Sequence, residues 1–239
     1  VLTVAGLDAG YDGTAVVHGA DLTVDAGEVV ALLGPNGAGK TTTLRTVSGL
    51  LPVLAGRIEV VGEPVPTGAA HRVARRGVGH VTEDRSLFFA LTARENLRLA
   101  RGGRRARRRD ATDTVLDVFP ELVPLLDRNA GLLSGGEQQM LAMARAMVTE
   151  PRLLLIDEMS LGLAPMVIER LLPVVRAAAV ESGAGVLLVE QHVGLALGVA
   201  DRAYVMANGC VALSGRADEL ADAGLALEAS YLGADRPGE

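Results

Sequence analysis

Gly34, Pro35, Asn36, Gly37, Ala38, Gly39, Lys40 and Thr41 spell GPNGAGKT and fit the pattern G-x-x-x-x-G-K-[ST], with Thr42 next in the chain. Glycines at this spacing let successive backbone N–H groups turn inward around a phosphate. A helix opening directly behind them faces the same anion with its positive end. The context fits, because the strand-like EVVALL precedes the loop and the helix-like TTTLRTVSGLL follows it. Lys40 is the only lysine in a chain that otherwise takes its positive charge from arginine. A compact ammonium on a flexible stem reaches β- and γ-phosphates as a point charge, where a planar guanidinium needs more room and a fixed fork. The Thr41 hydroxyl is a candidate ligand for Mg²⁺.

A second group of acids suits the same chemistry. RLLLIDE, residues 152–158, is an apolar strand ending in Asp157 and Glu158. Asp157 would hold Mg²⁺ through its water shell, and Glu158, one residue further on, is placed to polarise an attacking water. An exposed acid pair at a loop mouth is the plainer reading. A third stretch, LLSGGEQQMLAMARAM at residues 132–147, sets a serine and two glycines ahead of an amphipathic helix carrying Met140, Leu141, Ala144 and Met147. Its opening can present backbone donors and the Ser134 hydroxyl to an anion, although taken alone it is also an ordinary capped helix.

The elements that must position these residues are short apolar runs bounded by glycine: EVVALLG, RIEVVG, GVGHVT, RLLLID and GVLLVEQ. Continuous rather than alternating hydrophobicity predicts strands buried on both faces of a parallel sheet, hence an α/β core. In AYVMANGCVALSG the Asn208-Gly209 pair predicts a two-residue antiparallel hairpin. Between residues 84 and 148 the 3.6-residue pattern takes over, which predicts a helical insert. Its run RGGRRARRRDATDTV reads as a solvated helix face with internal ion pairs, or as a surface for an acidic partner.

Composition narrows the classes. The chain has 239 residues, 49% hydrophobic and 22% charged, a balance that folds. A formal charge of −6 argues against coating a polyanion, so no nucleic-acid partner is expected. Cys210 is a single cysteine, which rules out an intrachain disulfide and suits a reducing compartment. Every apolar run is broken by charge well before the roughly 20 residues of a membrane helix. The amino terminus lacks the basic lead of a secretory signal, and a cytosolic chain is expected.

The run L-S-G-G-E-Q-Q resembles the signature of ATP-binding-cassette (ABC) ATPases, and the resemblance covers nearly the whole chain in the family's order. It implies a P-loop NTPase (RecA-like) α/β core with an antiparallel β subdomain and a helical insert. The implied single domain spans residues 1–235, with 1–83 and 149–235 as nucleotide-binding core and 84–148 as helical subdomain. It implies ATP and Mg²⁺ as cofactors, Tyr11 stacking on adenine, and residues 34–42 around the phosphates. Thr41, Asp157 and Glu83 would be at the metal, Glu158 and His192 would be catalytic, and His192 would act as the switch histidine on the γ-phosphate. Ser134, Gly135, Gly136 and Glu137 would cap the nucleotide of a second cassette, so that two ATP molecules are sandwiched in a head-to-tail dimer.

DEMSLGLAP, VTEDRSLFFALTARENL and ASYLG are similar to ATPase subunits of branched-chain amino acid importers. That implies transmembrane permease subunits, a second ATPase subunit and, indirectly, a periplasmic-type or lipoprotein substrate-binding protein as partners, with the chain at the cytoplasmic face of the membrane. Three positions depart from the wider family: Glu83 in place of the Q-loop glutamine, Met159 in place of a proline, and Ala164 in place of the D-loop aspartate. Glu83 would couple the phosphate site to a groove along Leu87–Leu97, where packing of Phe88 and Phe89 against the core is the other reading. A lipid or drug exporter ATPase, and a soluble cassette protein acting on nucleic acid or ribosomes, are the alternative functions.

Overall fold

The computed structural model describes residues 1–100 and 105–222, with residues 105–110 as backbone only. The arginine-rich run from 101 and the ASYLG tail therefore lie outside the residues, or the side chains, that are described. Strands β1 (Leu2–Tyr11) and β2 (Thr14–Val24) form an antiparallel ribbon, followed by β3 (Val29–Leu33), α1 (Lys40–Val47), β4 (Val53–Val60) and β5 (Glu63–Pro64). Next come α2 (Ala70–Arg75), β6 (Val78–Val81), α3 (Ala93–Leu99), α4 (Arg105–Val118) and α5 (Gly135–Met147). The chain closes with β7 (Leu153–Asp157), α6 (Pro165–Val180), β8 (Gly185–Glu190), α7 (Val193–Leu197), β9 (Arg202–Ala207), β10 (Cys210–Arg216) and α8 (Ala217–Asp222). The helical insert is the segment from α3 to α5, between β6 and β7.

The strands form two sheets, one in the order β2-β1-β4-β5 and one in the order β10-β9-β3-β8-β7-β6. The second is parallel from β9 through β6, and only β10 runs against its neighbour. Its central strands β3, β7 and β8 are buried at every position because each feeds two cores. Val29, Ala31 and Leu33 enter the core shared with α5, α6 and α7, whereas Val30 and Leu32 enter the core shared with α1 and the antiparallel sheet. β7 and β8 divide in the same way, with Leu154, Ile156, Val186 and Leu188 on the first side and Leu155, Leu187 and Val189 on the second. The side-chain period of two then leaves no face for polar residues.

RIEVVG departs from the expectation. It forms β4 and pairs antiparallel with β1, Val4 opposite Ile58 and Leu2 opposite Val60, instead of joining the parallel sheet. Burial alternates there, with Ile58 and Val60 inside, Arg57 exposed and Glu59 between, as in a sheet with one wet face. The signal was Arg57 and Glu59, which no strand buried on both faces would tolerate.

The expected hairpin is present: β9 and β10 join through Asn208 at φ 49° and Gly209 at φ 80°. Its tip also locks the two sheets together. The His18 backbone N–H donates to the Gly209 carbonyl at 2.8 Å, and a Cβ on Gly209 would fall 2.2 Å from the Val16 carbonyl oxygen. Asp12-Gly13 makes the equivalent turn between β1 and β2, but there a Cβ would meet nothing within 4 Å. Gly209→Ala is therefore expected to lower the unfolding free energy by about 2–4 kcal/mol, through the left-handed backbone and the collision together. Gly13→Ala carries only the backbone penalty of about 1–2 kcal/mol. Urea denaturation of both variants checks the difference, and equal losses would mean the tip does not clasp β2.

Candidate functional site

In the parallel sheet β3 lies beside β8 and β8 beside β7, so three strand ends open at one edge. Leu33 pairs with Glu190 and Val189 with Asp157, which sets the loop after β3, the acids after β7 and the residues after β8 side by side. Ligands bind in such crevices beyond the carboxyl ends of parallel strands. A cavity of about 370 Å³ occupies the place, lined by Asn36, Gly37, Gly39, Lys40, Thr41, Thr42, Glu83 and Glu158, together with Val16, Leu161 and Gln191.

The loop is shaped by its backbone. Gly39 caps α1 at φ 100°, and a Cβ there would sit 2.9 Å from a Val17 methyl, so any side chain is strained and crowds β2. Lys40 is 4% exposed. Its ammonium donates to the Gly34 carbonyl at 2.8 Å and to the Pro35 carbonyl at 3.0 Å, and stands 3.8 Å from Glu158 Oε1. Burial pulls its pKa down, and Glu158, Asp157, Glu190 and Glu83 push back. Thr41 Oγ1 donates to Asp157 Oδ1 at 3.3 Å. Asp157 is buried, and that burial pushes its carboxyl up to about 6 against the Thr41 hydrogen bond; Glu158 and Glu83 push it the same way. Glu158 adopts φ 46°, a left-handed conformation in a residue that has a side chain to accommodate. Its backbone N–H donates to the Val189 carbonyl at 3.0 Å, which fastens it to β8.

Of the other residues singled out from the sequence, Asp157 does not line this cavity but borders a neighbouring one of about 640 Å³, which Glu83, Arg85 and His80 also line. Tyr11 is 41% exposed at the β1–β2 turn and does not line the first cavity; Val16 on β2 does. His192 is exposed at the head of α7 and stays outside the lining, whereas Gln191, half-buried, is inside it. Ser134 through Glu137 lie apart, at the start of α5. Ser134 Oγ accepts from the Glu137 N–H at 3.3 Å, and Glu137 returns the bond to the Ser134 N–H at 2.7 Å. This capping box leaves the serine proton free to donate elsewhere. Met159 is buried, and Ala164 heads α6 without a side-chain cap.

Two buttresses were not read from the sequence. Arg85 donates to Gln139 at 3.0 Å and to Gln138 at 3.1 Å, which ties the loop carrying Glu83 to α5. Glu190 is buried and accepts from the Ser160 N–H at 2.9 Å and the Ser160 hydroxyl at 2.7 Å, which fixes the turn that carries Glu158. Nothing in a lone arginine or a strand-end glutamate marks such partners.

The raised Asp157 pKa carries a sign. A folded pKa of about 6 lies above the unfolded value, so the fold favours the protonated acid. The associated stability is complete below the unfolded pKa and is lost as pH rises through about 6. Asp157→Asn, without nucleotide or magnesium, should therefore stabilise the chain by about 1–3 kcal/mol at pH 8. That gain should fade between pH 6 and 4. Thermal unfolding across that range checks it, and a loss of stability that does not vary with pH would contradict it.

Residues 17–160 match the family model described as ABC transporter. The chain is 41% identical over 206 residues to the high-affinity branched-chain amino acid transport ATP-binding protein BraG of Pseudomonas aeruginosa, covering 85% of this chain and 87% of that one. It is 35% identical over 226 residues to the lipopolysaccharide export system ATP-binding protein LptB of Escherichia coli, covering 92% of each. Among solved structures it superimposes on an ATP-binding subunit of an ABC transporter with a TM-score of 0.83 at 31% identity, covering 97% of this chain and 95% of that one. With the nucleotide loop, the strand-end acids and the SGGEQQ helix in one fold, the chain is an ATPase of the ABC transporter family.

Proposed function

We propose that the chain is the ATP-binding and ATP-hydrolysing subunit of an importer for branched-chain or related amino acids, working at the cytoplasmic face of the membrane with separate permease subunits. The observation that carries the importer reading is the 41% identity to BraG over 85% of the chain. Among the described residues no helix is long and apolar enough to cross a membrane, in keeping with a channel supplied by other chains.

The roles follow from the geometry. The loop N–H groups of residues 36–41 receive the phosphates at the head of α1, and Tyr11, exposed at the β1–β2 turn, stacks on the adenine. Lys40 exchanges its bonds to the Gly34 and Pro35 carbonyls for the β- and γ-phosphates. Two hard oxygens, Thr41 Oγ1 and Asp157 Oδ1, lie 3.3 Å apart, and Asp157 is a buried carboxylate short of positive charge, a donor set that suits Mg²⁺. Thr41 and Asp157, with Glu83 at the rim, would hold the ion, which when bound neutralises phosphate charge. Glu158 accepts a proton from the attacking water, its aim fixed by the Val189 carbonyl behind it and the Glu190–Ser160 pair beyond.

Ser134 and the α5 N-terminus lie away from this cavity. They serve the nucleotide of a second cassette, with the phosphate charge joining the two subunits. Loss of that charge on hydrolysis releases them, and through Arg85 the motion of α5 reaches the loop that bears Glu83. The export reading draws on the LptB match over 92% of the chain. Co-purification from native membranes separates the two: a permease pair with a solute-binding protein supports import, and a lipid-exporting permease overturns it.

Two variants test the chemistry. Glu158→Gln should keep ATP affinity, reduce turnover by about 10²–10⁴-fold and accumulate an ATP-bound dimer. Unchanged steady-state hydrolysis would remove Glu158 from this role. Ser134→Arg should leave ATP affinity of the isolated subunit intact and slow hydrolysis in the assembled complex, and turnover equal to that of the unmodified complex would show that the pocket is not shared.

A further inference from the structure

We infer that Gln191, not His192, is the side chain at the end of β8 that meets the terminal phosphate. The inference rests on reading the cavity as the ATP site and concerns one further contact in it.

Strand parity carries the argument. Along β8, Val186 and Leu188 face the core under α5 and α6, and Glu190 continues that side by bonding to Ser160. Leu187 and Val189 face the opposite side, which is covered by α1. Gln191 continues their row, toward the helix whose first residues are Lys40 and Thr41. The next residue, His192, is carried out to solvent at the head of α7. The geometry agrees: Gln191 is half-buried and lines the cavity with Lys40, Thr41 and Glu158, and His192 does not.

Among the described residues the Gln191 carboxamide makes no hydrogen bond, so both of its ends are available. Its N–H₂ donates to a terminal phosphate oxygen, and its carbonyl oxygen accepts from the water that Glu158 polarises. Unlike a histidine, an amide keeps one charge state across neutral pH, so this contact works without an ionisation of its own.

Steady-state ATP hydrolysis and equilibrium binding of a fluorescent ATP analogue, on the purified full chain between pH 5.5 and 9, test it. Gln191→Ala and the isosteric Gln191→Glu, which cannot donate, should each lower kcat at least about tenfold and leave nucleotide affinity within about threefold. His192→Ala should change kcat by less than about twofold. Gln191→His should keep turnover and add to the pH profile an imidazole ionisation that is absent from the profile of Gln191→Ala. Normal kcat in Gln191→Ala, or a large loss in His192→Ala, would overturn the assignment. Lys40→Ala separates the two levels: if it keeps nucleotide affinity, the reading of the cavity fails, and if it loses affinity while Gln191→Ala hydrolyses normally, only the present inference fails.

Discussion

A single ammonium is buried where three strand ends converge, and much of the site can be understood as what is needed to keep it there. Lys40 loses hydration, and two backbone carbonyls with a ring of acids hold its charge in place. Asp157 among them is itself strained: burial, and then the charges of Glu158 and Glu83, push its carboxyl up to about 6. The cavity is therefore poised for a ligand that brings anionic oxygens to the lysine and a cation to the carboxylates. Magnesium triphosphate is such a ligand, and binding it relieves both strains at once.

Position is enforced by layers that do no chemistry. Two cores clamp the parallel sheet around β3, β8 and β7, and the register places Leu32, Val189 and Asp157 in line, with Leu33 and Glu190 paired one step further on. The Glu190–Ser160 pair stiffens the turn beyond β7. Asn96 fills a similar place in the insert: its amide donates to the Phe88 and Thr92 carbonyls at 3.0 Å, and its oxygen accepts from the Phe88 N–H at 3.0 Å. Phe88 and Phe89 themselves remain half exposed, and Arg145 lies over the Phe88 ring at 5.7 Å. The segment preceding α3 is thus tied down by Asn96 on one side and leaves two aromatic rings half exposed on the other.

What could be read from the chain without coordinates was what is local. The phosphate loop, the acids ending β7 and the Asn-Gly hairpin announce themselves because their physics lies within a few neighbouring residues. The Asp12-Gly13 turn carried the same signal and went unread. RIEVVG misleads because its three apolar residues outweigh Arg57 and Glu59, whose alternation is the better guide. At the end of β8 the histidine drew attention by type, although the parity of VLLVEQ points its neighbour at the cavity. The Arg85 and Glu190 contacts span 53 and 30 residues, and no local pattern encodes them.

Because Lys40 is the only lysine, chain labelled with ¹⁵N-lysine carries one side-chain amine label, and its NMR titration reports the buried ammonium directly. Without ligand, its pKa is expected below the ordinary lysine value; with magnesium and a non-hydrolysable ATP analogue, the resonance should shift and the pKa should rise as phosphate replaces the carbonyls. A resonance that titrates identically with and without the analogue would contradict the account.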